Sequence, residues 1–413
     1  MRTWHEIRRF PLAVRLLLVN QFGVNVGFYL LIPYLATHLT ENLGMSAALV
    51  GVVLGIRNLS QQGLFVIGGS AADRLGARGV IIAGCALRTV GFALFALGDG
   101  PAVLLAASAL SGLAGALFNP AVRAYLAQES GERRAEAFAL FNVFATAGAL
   151  IGPLLGSMLL LVGFRTSALT AAAIFGLLTL AQALVLPARR AEPSEGGVLA
   201  DWREVVGNRA FLAFALAMVG MFTLENQLYL LLPSGAREAT GWDGAAGLVF
   251  LVGTLVNLTL QLRLTRALKR RGHRARWIAA GLLLMGLAFV PPATVAGTGS
   301  AGAPAAVALL LGTLLLYVGI MTASPFVMEL IPGFGRPGLT GTYYGIFYVV
   351  SGVAAALGNT AVGWAMDTGE HRAPWLPWAC CALFGVGSAL GVALLHRRDA
   401  LPSPRPTPVP ATV

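Results

Sequence analysis

Two carboxylates stand out because they lie inside long apolar stretches of the chain. Glu225 lies within residues 210–234, and Glu329 lies near one end of residues 303–331. A carboxylate in a low-dielectric environment can load and release protons in the physiological range, so both are candidates for proton coupling, and Glu225 is the better one. The alternative for Glu225 is a fixed ion pair, with Arg57 as a candidate partner. For Glu329 the alternative is a gate or a structural pair.

Amide and aromatic side chains recur at helical spacing in the same kind of apolar stretch. Gln21, Asn25 and Tyr29 lie four residues apart, so they share one helix face, and Glu225 and Tyr229 repeat that spacing. Polar groups in such helices usually face a cavity, and amides with aromatic rings suit amphipathic organic molecules. We therefore predict a substrate cavity lined by Gln21, Asn25, Tyr29, Arg57, Asn58, Gln61, Tyr229, Asn257, Gln261, Tyr344 and Tyr348.

The elements that must position these residues are membrane-spanning helices. The 413 residues are 57% hydrophobic and only 11% charged, whereas soluble domains carry about 25% charged residues. Each spanning helix needs about 20 mostly apolar residues. This composition excludes a cytosolic enzyme, a disordered scaffold and a single-span receptor. We predict an all-α membrane protein with twelve spans, near 12–38, 46–71, 79–97, 101–124, 136–162, 166–187, 210–234, 243–267, 276–296, 303–331, 339–365 and 374–396.

The spans divide into two similar halves. The longest polar stretch, 188–209, predicts a cytoplasmic linker between an N-terminal six-helix lobe, 1–187, and a C-terminal six-helix lobe, 210–398. The Tyr-Leu-Leu-Ile-Pro sequence at 29–33 returns as Tyr-Leu-Leu-Leu-Pro at 229–233, which indicates a repeat of the kind found in two-lobed secondary transporters. The Pro-rich tail, 399–413, is predicted to be disordered.

Basic residues show the orientation of the chain. The formal net charge is +11, but all except five of the 29 Lys and Arg residues fall on one side of the predicted spans. The exceptions are Arg165, Arg237 and Arg372 on the other side, and Arg57 and Arg88 within spans. Positive charge accumulates on the cytoplasmic side, so both termini are predicted to be cytoplasmic and no nucleic-acid partner is expected. We interpret Arg88 as structural.

A glycine-framed charged motif joins spans two and three. Residues Gly69–Arg78 have the pattern GxxxDRxGxR, in which Gly69 permits close helix approach and Gly76 permits a tight turn. We call this segment the latch motif. It resembles the signature loop of the major facilitator superfamily, and that resemblance implies a cytoplasmic latch formed by Gly69, Asp73, Arg74, Gly76 and Arg78. Arg123, at the end of span four, is the predicted partner of Asp73.

A second glycine motif lies in span five. Gly148, Gly152 and Gly156 recur every four residues and form a flat stripe beside Pro153, which allows a partner helix to approach closely. Packing is one role of this stripe. The pattern GxxxGPxxG also resembles the antiporter motif of proton-coupled exporters in the superfamily. Residues 54–63 are similar to the second span of bacterial multidrug exporters in the twelve-helix drug:proton antiporter branch.

These resemblances imply a secondary transporter of the inner membrane, not an enzyme, and a monomer without a cofactor or metal site. The expected activity is export of small amphipathic organic compounds in exchange for protons, by alternating access. The alternatives are an importer of a small metabolite, proton-coupled or facilitated, and a non-transporting sensor or assembly partner. Span one lacks the acid common in proton-coupled drug exporters, so coupling depends on Glu225, works differently or is absent.

Overall fold

The computed structural model describes residues 7–188, 197–228, 230–241, 245–296, 302–369 and 373–402, and within these ranges it contains helices and no strand. Predictions for Tyr229 and for most of the 399–413 tail therefore lie outside the described residues. The helices are α1 Leu12–Thr37, α2 Ala47–Gly63, α3 Phe65–Leu75, α4 Ala77–Leu97, α5 Pro101–Glu129, α6 Arg134–Leu160, α7 Phe164–Val185, α8 Val198–Gly207, α9 Arg209–Ala217, α10 Val219–Asn226, α11 Leu231–Thr240, α12 Ala245–Arg270, α13 Arg274–Leu287, α14 Val290–Val295, α15 Ala303–Leu330, α16 Thr340–Gly369 and α17 Leu376–Arg397.

Membrane-spanning helices account for most of the chain. Ten helical stretches among the described residues are long and apolar enough to cross a membrane. The two other predicted spans are also helical: one is α2 followed by α3, and the other is α12. The all-α architecture is confirmed and is consistent with twelve spans.

Three predicted spans are interrupted rather than continuous. Span two breaks at Leu64, between α2 and α3, and span seven is divided into α9, α10 and α11. Span nine breaks between α13 and α14, where prolines occupy the first turn of α14. Proline cannot donate the helix hydrogen bond, which accounts for this last break.

The described chain forms two compact units. The first unit comprises Met1–Val205, Gly335–Val349 and Pro406–Val413, and the second comprises Val206–Phe334 and Val350–Arg405. In the first unit α1 packs on α6 and α7, α4 packs on α5 and α7, and α2 packs on α5. In the second unit α13 packs on α15 and α17, α12 packs on α15, and α10 packs on α17. Four pairings recur in both halves, as expected for repeats: spans one with six, two with four, three with four and three with six correspond to seven with twelve, eight with ten, nine with ten and nine with twelve. The lobe boundaries at 188 and 209 stay a prediction.

Caps and turns fix several helix ends. Ser46 accepts a hydrogen bond from the Leu49 amide at the start of α2, and Asn208 accepts one from the Phe211 amide at the start of α9. Gly76 has φ +89° between α3 and α4, a conformation that side chains with a Cβ rarely adopt. This glycine sets the direction in which α4 leaves the latch motif.

Candidate functional site

The latch motif packs on the beginning of α16, within the first unit. A Cβ at Gly69 would overlap the Gly341 carbonyl, and a Cβ at Gly345 would lie 2.6 Å from the Phe65 carbonyl oxygen. These glycines therefore allow α3 and α16 to approach closely. The close approach brings Asp73 to the first turn of α16.

Asp73 caps that helix. Its Oδ1 accepts a hydrogen bond from the Gly341 amide at 2.7 Å, while its Oδ2 accepts one from the Thr342 amide at 2.7 Å and one from the Thr342 hydroxyl at 2.8 Å. The first amides of a helix have no acceptor within the helix, so the carboxylate satisfies donors that would otherwise be unpaired. Burial raises the pKa of Asp73 to about 7, although the bonds from Thr342 and Gly341 act in the opposite direction.

A second layer of polar contacts surrounds the latch motif. Arg74 donates to the carboxylate of Asp201 on α8, and Arg336 approaches the same carboxylate at 3.2 Å. The Asp201 side chain is only 4% exposed, so these two cations hold a buried charge. Trp202, the next residue of α8, donates its indole N–H to the Ser70 hydroxyl at 2.7 Å. These residues of α8 are not among the predicted site residues, because their partners are distant in sequence.

The predicted pair between Asp73 and Arg123 is not formed. The Arg123 guanidinium donates to the Asn119 carbonyl at 3.0 Å and lies over the rings of Tyr348 and Phe141, at 4.7 and 5.4 Å from their centroids. The prediction was wrong because the acceptor sites of Asp73 are taken by backbone amides, and Arg123 is stabilised by aromatic faces instead. Arg78, also in the latch motif, donates to the Ala183 carbonyl.

The glycine stripe of α6 packs on α1. A Cβ at Gly148 would lie 2.5 Å from the Phe22 carbonyl oxygen, and one at Gly152 would lie 2.8 Å from the Tyr29 Cβ. Gly156 faces the Leu30 carbonyl in the same way. Two hydrogen bonds join the same helices: Asn25 donates to the Ala145 carbonyl and Tyr34 donates to the Pro153 carbonyl, each at 2.7 Å. The stripe is thus a close helix contact, and its role in export stays a prediction.

Several predicted cavity residues of the first unit contact one another. Gln21 donates to Asn25 at 3.2 Å, and both lie on α1. Arg57 donates to the amide oxygen of Asn58. Among the other predicted cavity residues, Gln61 packs on Gly115, Tyr344 lies beside Phe138, and Tyr348 lies beside Phe65.

The predicted cavity residues of α12 form a buried ladder within the second unit. Asn257 donates to Gln261 at 3.3 Å, and Gln261 donates to the Thr265 hydroxyl and to the Met321 carbonyl, each at 3.1 Å. Asn257 is 6% exposed and Gln261 is 1% exposed. The ladder therefore joins α12 to α15, and a role in substrate binding stays a prediction.

Glu225 lies beside the interruption of the seventh span. It is the penultimate residue of α10 and is partly exposed, and no ion pair or hydrogen bond of its side chain is present in the described part of its unit. After the break, Gln227 donates its side-chain amide to the Thr223 carbonyl at 2.9 Å and to Asn359 at 3.1 Å. The amide of Asn226 donates to the Phe222 carbonyl. Side chains thus satisfy carbonyls that the interrupted helix leaves free.

Glu329, in contrast, is paired. Its two oxygens accept hydrogen bonds from Arg274 at 2.8 and 3.1 Å, in a two-point contact between α15 and the start of α13. The Glu329 side chain is 9% exposed. This geometry favours the structural alternative stated for Glu329, and its assignment to proton coupling stays an untested prediction.

Known proteins resemble this chain over nearly its whole length. The family model described as Major Facilitator Superfamily matches residues 17–359. An uncharacterized MFS-type transporter of Mycobacterium tuberculosis is 43% identical over 96% of this chain and 95% of its own length. Multidrug resistance protein MdtH of Photorhabdus laumondii is 33% identical over 92% of this chain and 93% of its own length.

Solved structures show the same fold. The Major Facilitator Superfamily transporter FucP, in its outward conformation, superposes with a TM-score of 0.75 at 16% identity, covering 93% of this chain and 98% of that one. The human organic anion transporter MFSD10 gives a TM-score of 0.68 at 20% identity, over 93% of this chain and 98% of that one. The family match, the relatives and the shared fold agree with the latch motif, so this chain belongs to the major facilitator superfamily and is a multi-pass membrane transporter, not an enzyme.

Proposed function

We propose that the chain exports small amphipathic organic compounds across the bacterial inner membrane in exchange for protons, by alternating access. The relative named Multidrug resistance protein MdtH supports export of drug-like compounds. The close contact of the α6 glycine stripe with α1 is compatible with an antiporter motif. Import of a metabolite remains the alternative within transport.

The proposal of proton exchange depends on the environment of Glu225. An acid deep in a membrane span is costly and is functional by default unless a partner neutralises it. Glu329 has such a partner in Arg274, whereas Glu225 has none among the described residues of its unit. Glu225 also lies at the end of α10, where the helix is interrupted and the backbone can rearrange. We therefore assign proton loading and release to Glu225.

The basic residues support an orientation with both termini in the cytoplasm. In this orientation the latch motif and the Arg274–Glu329 pair lie at the cytoplasmic face. The latch role is then assigned to the Asp73 cap on the start of α16. Release of the cap would accompany opening on the cytoplasmic side.

The test is efflux from energised cells. Efflux-deficient bacteria that express the chain are loaded with cationic, neutral and anionic amphipathic dyes, and dye loss is followed after energisation. We expect faster loss of at least one dye class, abolished by a protonophore and by Glu225→Gln. Glu238→Gln, which changes an exposed acid on α11, is the matched control and should export normally.

The other outcomes identify the alternatives. Faster dye uptake in place of loss would show an importer. If neither uptake nor loss changes for any dye class in cells where the protein reaches the membrane, a sensor or assembly partner is favoured and the export proposal is wrong. Normal, protonophore-sensitive export by Glu225→Gln would refute the role of Glu225 alone.

A further inference from the structure

Among the described residues of the first unit, two arginines inside helices have no acidic partner. Arg57 lies near the middle of α2, and Arg88 lies near the middle of α4. Between residues 12 and 187 every acid lies at a helix end or in a loop, namely Glu41, Asp73, Asp99, Glu129, Glu132 and Glu136. Arginine at this depth is costly and usually pairs with a carboxylate. The missing counter-charge is unusual for a stable interior.

Arg88 is held by aromatic rings rather than by an acid. It is only 5% exposed, and its guanidinium carbon lies 5.4 Å from the Phe118 ring centroid and 5.7 Å from that of Phe175. Its Nε has no hydrogen-bond partner among the described residues. Cation–π contacts stabilise a guanidinium but do not neutralise it. Arg88 therefore adds uncompensated positive potential to the interior of this unit.

Arg57 is more exposed than Arg88. Its side chain is half-buried, its guanidinium carbon lies 5.2 Å from the Phe28 ring centroid, and its Nε is buried without a partner among the described residues. The Phe175 ring that contacts Arg88 packs on Gly27, next to Phe28. The two cations thus belong to one aromatic-walled cluster.

We propose that Arg57 binds an anionic group of the transported substrate and that Arg88 is a positioning residue whose buried charge strengthens this binding. The inference rests on the proposed function, because it takes the ligand to be the transported compound. It narrows the substrate class to amphipathic organic anions that carry a sulfonate, carboxylate or phosphate on an apolar body. A guanidinium in a low-dielectric environment binds such oxyanions with charge-assisted hydrogen bonds, and the ring of Phe28 suits the apolar body.

Equilibrium binding tests this inference without requiring transport. The full chain is placed in phosphatidylcholine nanodiscs, which contain no anionic lipid, and is titrated with naphthalene-2-sulfonate and with naphthalene-2-sulfonamide. The two probes share one aromatic skeleton and differ in charge. We expect the wild type to bind the sulfonate about tenfold more tightly than the sulfonamide, the effect of charge-assisted bonds in a dry site. Equal affinities for the two probes would overturn the proposal.

Variants assign the effect to the two arginines. Arg57→Gln should weaken sulfonate binding about tenfold and leave sulfonamide binding unchanged. Arg88→Gln should weaken sulfonate binding about threefold, because its charge acts from a distance, and Arg88→Lys should restore the affinity. Arg165→Gln, at the exposed start of α7, is the control. Unchanged sulfonate affinity in Arg57→Gln, or no rescue by Arg88→Lys, would refute the respective assignment.

Folding and function are separated by the design. The folding of each variant is checked by its size-exclusion profile and its melting temperature. If Arg57→Gln does not fold, Arg57→Lys replaces it. Because Arg57→Lys keeps the positive charge, it should keep the preference for the sulfonate. Binding is measured without a pH gradient, so an importer of organic anions would still show the preference. If the protein exports dye in exchange for protons but binds both probes equally, the proposed function stands and this inference is wrong.

Discussion

The cap that Asp73 forms on α16 can be removed with little change in shape. Asparagine has nearly the volume of aspartate, but one of its two terminal atoms is an NH₂ group that cannot accept a hydrogen bond. In Asp73→Asn, therefore, at most one of the Gly341 and Thr342 amides can keep its acceptor. Both amides lie in the first turn of α16, where the helix offers no substitute.

The magnitude follows from these contacts. A hydrogen bond to a charged group contributes about 1.5–3 kcal/mol, and a negative charge at a helix N-terminus adds about 0.3–1 kcal/mol. Part of this is offset, because the buried carboxylate has a pKa raised to about 7 and the neutral amide avoids that burial cost. We expect a net loss of about 2 kcal/mol in the free energy of local opening, or roughly 30-fold faster amide exchange.

Residue-resolved hydrogen exchange measures this loss directly. The Gly341 and Thr342 amides should exchange faster in Asp73→Asn than in the wild type, while amides in the middle of α4 and α13 remain unchanged. Glu238→Gln serves as the charge-matched control, since Glu238 is exposed on α11. Exchange at both amides within twofold of the wild type, in a folded variant, would show that Asp73 does not stabilise the start of α16.

Two further predictions concern pH and the second acid. A protonated carboxyl keeps an acceptor lone pair on each oxygen, so protonation of Asp73 leaves acceptors for both amides, unlike the NH₂ group of asparagine. Because burial raises the pKa of Asp73 to about 7, the capped state binds a proton more tightly than a state with Asp73 in water, so the capped state should gain stability as pH falls from about 7 to about 4. Amide exchange at Gly341, corrected for the intrinsic rate, should slow over this range in the wild type but not in Asp73→Asn. Glu329→Gln should lower the melting temperature, because it leaves Arg274 without its partner, and should preserve protonophore-sensitive export. Normal melting with lost coupling would instead support a proton-carrying role for Glu329.

Features that depend on local patterns could be predicted from the sequence. Span lengths follow from apolar runs, and close packing of α6 on a partner helix follows from glycines spaced four residues apart, although the identity of that partner, α1, does not. The structure places the Phe22 and Leu30 carbonyls where side chains on Gly148 and Gly156 would lie. A regular small-residue stripe therefore carries enough information to predict a close helix contact.

The partner of Asp73 could not be predicted in the same way. Charge matching pointed to Arg123, but the actual donors include the backbone amides of Gly341 and Thr342, 268 and 269 residues further along the chain. Every residue except proline carries such an amide, so the sequence has no signal for it. The breaks in span seven were missed for a related reason, because side-chain amides such as that of Gln227 satisfy the freed carbonyls locally.

The loop between spans two and three and the equivalent loop between spans eight and nine make different polar contacts. In the first half the latch motif supplies an acid, Asp73, which caps a helix start. In the second half the corresponding loop supplies a cation, Arg274, which pairs with Glu329 inside the second unit. Both contacts lie within a single unit, so each keeps its energy when that unit moves as a body. They differ in chemistry: the Asp73 carboxylate accepts from backbone amides, so only a change at Asp73 removes the side chain of this cap, whereas the Arg274–Glu329 pair is broken by a change at either side chain.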